Sequence, residues 1–105
     1  MNIKADYSDG RLTVSLGGEL DHHGAKAAVD AISEALDRYL PRDLVLDLGE
    51  LGFMDSSGIA VVINALRNMS QIEGKLLLSG ISPQPMRVFR ASGIDKLVEI
   101  REAVS

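Results

Sequence analysis

The sequence predicts an α/β domain built on a mixed, mostly parallel sheet, with an N-terminal β-hairpin and helices packed against it. Apolar residues alternate along the first segments, the apolar spacing then switches between short runs and a period of three to four, and the 105 residues make about one domain. Residues 1–105 therefore read as one unit in the order β-β-α-β-α-β-α-β.

Ile3, Ala5 and Tyr7 alternate with polar neighbours, "SDG" supplies turn chemistry, and Leu12, Val14 and Leu16 alternate again up to Gly17 and Gly18. This is the pattern of a hairpin. From residue 25, Ala25, Ala28, Val29, Ile32, Leu36, Tyr39 and Leu40 lay one stripe along a helix that Pro41 stops, with Asp21 placed to cap its start. "DLVLDL" (43–48) is a nearly continuous apolar run, as expected of a central strand covered on both faces. "IAVVINALRNM" is rich in β-branched residues, but Ile59, Val62, Ile63, Leu66 and Met69 keep helical spacing over more than ten residues, so length decides for helix.

Gly74 punctuates the end of that helix, "KLLL" (75–78) reads as a buried strand, and Ser82 with Pro83 forms an N-cap and first-turn pair. In the third helix Met86, Phe89 and the stem of Arg90 are expected to face inward. Gly93 ends it, and "KLVEI" (96–100) is the last strand. Strands alternating with helices imply right-handed parallel crossovers, with the hairpin as an antiparallel edge. Functional groups of such sheets gather where strands run into helix N-termini, which singles out "GGELDHHG" and "GELGFMDSSG".

Composition narrows the function classes. Hydrophobic residues make up 46% and charged residues 25%, the balance of a globular protein. No cysteine is present, which removes disulfides, thiolate nucleophiles and cysteine zinc sites and fits a reducing compartment, the cytoplasm by default. "MNIKADYSDG" lacks the apolar core of a signal peptide, and no stretch approaches the roughly 20 apolar residues of a membrane helix, so neither secretion nor a membrane is expected. A net charge of −4, with Arg38, Arg42, Arg67, Lys75, Arg87 and Arg90 scattered, gives no footprint for nucleic acid. The four aromatics, Tyr7, Tyr39, Phe53 and Phe89, leave little for base stacking.

"FMDSSG" (53–58) holds the candidate chemistry. A hydrolase nucleophile elbow needs Gly-x-Ser-x-Gly, yet Asp55 stands two residues before Ser57 and Met54 two before Ser56. His22 and His23, adjacent at a helix start, fit a solvated first turn better than a triad base. No lysine follows the glycines of "GELGFMDSSG", which removes a P-loop, and consecutive Asp21, His22 and His23 lack the i, i+4 spacing of metal ligands on one helical face. Asp47 stands where a response-regulator receiver carries its phosphoacceptor, but the acidic pair after the first strand and the late Lys-Pro are missing, so Asp47 reads as a solvent-edge or structural carboxylate. No catalytic residue, cofactor site or metal site is expected.

If a helix begins near residue 57, either Asp55 or Ser56 can cap it, which leaves at least one hydroxyl at the positive end of the dipole. A phosphate is stabilised there, with the amides of Gly58 and Ile59 to solvate it and no Gly58 side chain to crowd it. On these six residues alone, two capping serines and one cap beside one phosphoacceptor stand level.

"GELDHHGA", "LVLDLGELGFMDSSGIAVVINAL" and "GISPQPMRVFRASGIDKLVEI" together resemble the STAS-domain anti-sigma factor antagonists, the sporulation members above all. The likeness runs in order through nearly the whole chain, with the C-terminal helix of relatives expected to be shortened after "VEIREAVS". It implies a single STAS domain over 1–105, with Ser57 phosphorylated by an anti-sigma factor that is also an ATP-dependent serine kinase, and a serine phosphatase that removes the phosphate. The unphosphorylated form then binds that anti-sigma factor and releases the sigma factor, so the chain is substrate and regulator, not an enzyme. Another stress-type partner-switching assembly is the alternative. On this reading Ser56 and Asp55 cap the helix, Ser57 is the exposed acceptor, and Glu19, Asp21, His22, His23, Asp55, Ser56, Ser57 and Gly58 form the partner-binding surface.

Overall fold

The computed structural model describes residues 1–102, so the expected shortening of the C-terminal helix, which falls on 103–105, lies outside the described residues. The chain runs β1 (Asn2–Ser8), β2 (Arg11–Leu20), α1 (His22–Tyr39), β3 (Asp43–Asp47), β4 (Leu51–Met54), α2 (Ser57–Gln71), β5 (Lys75–Ser79), α3 (Pro83–Ser92), a 3₁₀ turn (Ile94–Lys96) and β6 (Glu99–Arg101). The sheet order is β1-β2-β3-β5-β6, with β4 paired to β2 off that path. β1 is antiparallel to β2, and the other pairs are parallel, as expected of a hairpin followed by helical crossovers.

β4 lies within the stretch "GELGFMDSSG", which the sequence pattern marks as a loop. β2 runs past Gly17 and Gly18 to Leu20, so its first half pairs with β3 (Leu12 with Leu44) and its last residues pair with β4 (Leu20 with Met54). A register shift between Gly18 and Glu19 interrupts the pairing with β4, where Gly18 lies opposite Leu51 and Glu19 opposite Phe53. Gly18 has φ +97°, a conformation glycine adopts without steric cost, and this lets the strand bend from one partner to the next. The final strand is also shorter than "KLVEI": residues 94–96 turn as 3₁₀ helix, Leu97 is exposed, and only Glu99–Arg101 pairs with β5.

The core lies on one face of the sheet. Leu12, Val14 and Leu16 of β2, Leu44 and Leu46 of β3, and Leu76 and Leu78 of β5 pack with Ala28, Ile32 and Leu36 of α1 and Val61, Val62, Ala65 and Met69 of α2. Phe89 of α3 is fully buried in the same cluster, while Met86 is half-buried and Arg90 is exposed rather than turned inward. Val45 stays outside this cluster, on the opposite face, in register with Thr13 and Leu77. Among the described residues β3 is thus covered by helices on one face only, contrary to the expectation from its apolar run. The run is continuous because Val45 is buried among its neighbours within the sheet itself, at 8% exposure.

Candidate functional site at the carboxyl ends of β2 and β4

Two parallel strands end side by side, and each is followed by an aspartate that caps a helix. Leu20 of β2 is the register partner of Met54 of β4, and the Asp55 amide donates to the Leu20 carbonyl at 3.3 Å. Asp21, next after Leu20, accepts from the Gly24 amide at 2.9 Å at the start of α1. That bond is the main reason its carboxyl titrates below the usual aspartate value of 3.8, and the nearby positive charge of His23 adds to it against a desolvation that opposes it. Asp55, next after Met54, accepts from the Ser57 amide at 2.8 Å at the start of α2. The β2–β4 pairing therefore brings the two sequence-predicted loops, and the N-termini of α1 and α2, to one place.

The capping roles differ from the expectation in one respect. Ser56 has helical backbone angles, φ −63° and ψ −17°, and its side chain makes no capping hydrogen bond. Asp55 alone caps. A residue already in helical conformation cannot turn its hydroxyl back onto the first turn, whereas the aspartate one position earlier can. The accessibility order also differs: Ser56 is exposed and Ser57 is half-buried.

The amides thought available to a phosphate are engaged. Gly58 N–H donates to the Asp55 carbonyl and Ile59 N–H to the Ser56 carbonyl, each at 3.1 Å. What α2 offers an anion at Ser57 is its dipole rather than free donors. Gly58 is buried, and a Cβ there would lie 2.3 Å from Met54 Sδ and 3.0 Å from Leu20 Cδ2. The glycine is required by the packing of α2 onto the ends of β2 and β4, not by a phosphate on its outer side.

Ser57 faces α1 across a shallow groove of about 320 Å³, lined by His22, Lys26 and Val29 of α1 and Ser57, Ala60 and Val61 of α2. His22 and His23 are exposed and meet edge to face, with ring centroids 5.8 Å apart. Glu19 is exposed at the end of β2, in register with Phe53 of β4. Phe53 keeps 43% of its surface in solvent, two residues before Asp55. Among the described residues, no group of three His, Asp or Glu is placed to hold a metal ion, and no helix is long and apolar enough to cross a membrane. Asp47 closes a local turn by accepting from the Gly49 amide at 3.0 Å, the structural role expected of it.

Gln84, which the sequence does not mark, and Ser82, expected to cap α3 with its side chain, complete the site from outside. Gln84 of α3 accepts from the Met54 amide through Oε1 and donates to the Met54 carbonyl through Nε2, both at 2.8 Å. Ser82 makes no side-chain cap for α3; its hydroxyl donates to the Leu51 carbonyl at 2.8 Å. Nothing in the sequence marks Gln84, because its partner strand is short and carries a glycine.

The STAS domain family model matches residues 2–105. An anti-sigma F factor antagonist of Paenibacillus polymyxa is 33% identical over 100 residues, which is 95% of this chain and 86% of that protein. An anti-sigma-B factor antagonist of Listeria monocytogenes is 29% identical over 96% of this chain and 90% of that protein. Among solved structures, the Bacillus cell fate determinant SpoIIAA in its phosphorylated form superimposes with a TM-score of 0.78 at 27% identity, covering 99% of this chain and 93% of that one.

Proposed function

This chain belongs to the STAS-domain family, and from that premise we propose that it is an anti-sigma factor antagonist switched by phosphorylation of Ser57. The unphosphorylated form binds, in the cytoplasm, an anti-sigma factor that is also an ATP-dependent serine kinase, and this releases the sigma factor. A serine phosphatase reverses the modification. The observation that carries the reading is the convergence of Asp21, Asp55 and Ser57 at one strand end, in a chain whose relatives are named for this function.

Exposed Glu19 and Phe53 and half-buried Asp21 and Asp55 stand at the ends of β2 and β4, and a partner with basic groups about an apolar contact complements that surface. His22, His23 and Ser56 lie at its exposed rim, whereas Gly58 supports it from below. Phosphorylation adds about −1.5 to −2 charge and three acceptor oxygens. Within this domain the α2 dipole offsets roughly 0.3–1 kcal/mol of that, so the fold survives. A docked partner instead meets bulk in the groove between α1 and α2 and a charge to desolvate, and each 1.4 kcal/mol of mismatch costs about tenfold in affinity. The switch is a blocked interface, not a refolded domain.

Incubation with the cognate kinase and ATP, followed by phosphopeptide mapping, tests this. Label at Ser57 is expected; label at Ser56, the more exposed hydroxyl, overturns the assignment. Which sigma factor is freed when the unphosphorylated chain is added to the kinase complex separates a sporulation circuit, the reading adopted here, from a stress circuit.

A further inference from the structure

We propose that Gln84 is the positioning residue of the acceptor loop: its carboxamide stands in for a missing neighbour strand along β4 and so fixes Asp55 and Ser57 for presentation to the kinase. The proposal rests on Ser57 being the phosphoacceptor.

β4 has four residues and, among the described residues, pairs with β2 alone. So short a strand needs support on its free edge, which carries open donors and acceptors. Gln84 supplies that support at Met54 with two 2.8 Å hydrogen bonds, one to the amide and one to the carbonyl, the same exchange a paired antiparallel residue makes. Ser82 adds a third bond three residues earlier, at Leu51. Both side chains come from the start of α3, which is anchored by buried Pro85 and Phe89.

Between Met54 and α2, one hydrogen bond ties the residues back to the sheet, and the others run forward into the first turn of the helix. Asp55 reaches Leu20 by a 3.3 Å bond, and the Asp55–Ser57 cap then begins α2. Any shift of the Met54 peptide therefore moves the cap and the serine hydroxyl with it. Only a carboxamide gives one donor and one acceptor at this reach: a carboxylate offers two acceptors, a methionine neither, and asparagine is one methylene too short.

Amide hydrogen exchange and phosphorylation kinetics, measured on Gln84→Met and Gln84→Glu, test the clamp. Gln84→Met keeps the bulk; it should lower protection of the Met54 and Ser57 amides about two- to tenfold, leave those of β5 unchanged, and reduce kcat/KM for phosphorylation of Ser57. In Gln84→Glu at pH 7 a carboxylate faces the Met54 carbonyl. Protection should return toward wild type below about pH 4.3, where the introduced carboxyl regains a proton to donate. A role in packing alone shows no such rescue. Unchanged exchange in Gln84→Met overturns the proposal, as does lost protection with unchanged phosphorylation kinetics. Failure of the wild-type chain to take phosphate at Ser57, while Gln84→Met still frees Met54, sinks the phosphoacceptor reading and leaves the clamp standing as a structural feature.

Discussion

The Asp55 carboxylate holds the amide of Ser57 at 2.8 Å, and Ser56, between them, caps nothing. Asp55 thus begins the helix, Ser56 only separates it from Ser57, and Ser57 is the proposed phosphoacceptor. Asp55→Ala should cost about 0.5–2 kcal/mol in urea denaturation, the range for loss of an N-cap, while Asp55→Asn keeps the acceptor and loses little. Ser56→Ala should be nearly neutral. A loss in Ser56→Ala equal to that in Asp55→Ala would reverse the assignment.

Gly58 carries a second, independent expectation. Its missing Cβ is the space that Met54 Sδ and Cγ occupy, at 2.3 and 2.4 Å from where that atom would sit, and Met54 is fully buried with nowhere to retreat. Gly58→Ala should therefore destabilise by about 1–3 kcal/mol despite the better helix propensity of alanine. The double change with Met54→Ala, which opens that space, should recover part of the loss relative to the sum of the single changes, measurable as a coupling in denaturation.

The elements with long, regular patterns were legible from residue types alone. α1 announced itself by Ala28, Ile32 and Leu36, and the hairpin by Leu12, Val14 and Leu16 alternating after "SDG". β4 was not, because its burial runs buried, exposed, exposed, buried, out of step with any strand period, where the register shift beside Gly18 interrupts the pairing. The same short strand hid Gln84 and Ser82, since a side chain that completes a sheet edge leaves no trace in local spacing. At the site, Asp21 was assigned its cap correctly, yet the pair Asp55 and Ser56 was level on propensity. The helical backbone of Ser56 and the Asp55–Ser57 hydrogen bond separate them.

Ser57 tests the blocked-interface mechanism directly. It is half-buried in the groove between α1 and α2, and its hydroxyl makes no hydrogen bond with another described group that a substitution would remove. Ser57→Asp should leave circular dichroism unchanged and the melting temperature nearly so, while weakening binding to the anti-sigma factor at least tenfold by calorimetry, which corresponds to about 1.4 kcal/mol. Ser57→Ala should bind like the wild type and accept no phosphate. A large loss of stability in Ser57→Asp would mean that the serine is a packing residue.

Asp21 gives the site a pH dependence of known sign. Its carboxyl titrates below 3.8 in the folded chain, chiefly because the ionised form accepts the Gly24 amide. The unfolded chain binds that proton more readily, so the contribution to stability is complete above the unfolded value of about 3.9 and is lost as pH falls through the lowered folded one. Asp21→Asn keeps a neutral cap with no titration. The wild type should therefore exceed Asp21→Asn in melting temperature at pH 7 by a margin that shrinks steadily below about pH 4. On the proposed interface Asp21 faces the partner, so the variant should bind the anti-sigma factor more weakly at pH 7 than its small stability change accounts for. A margin that widens on acidification would show that the carboxylate is destabilised in the folded chain and would remove Asp21 as the charged cap of α1.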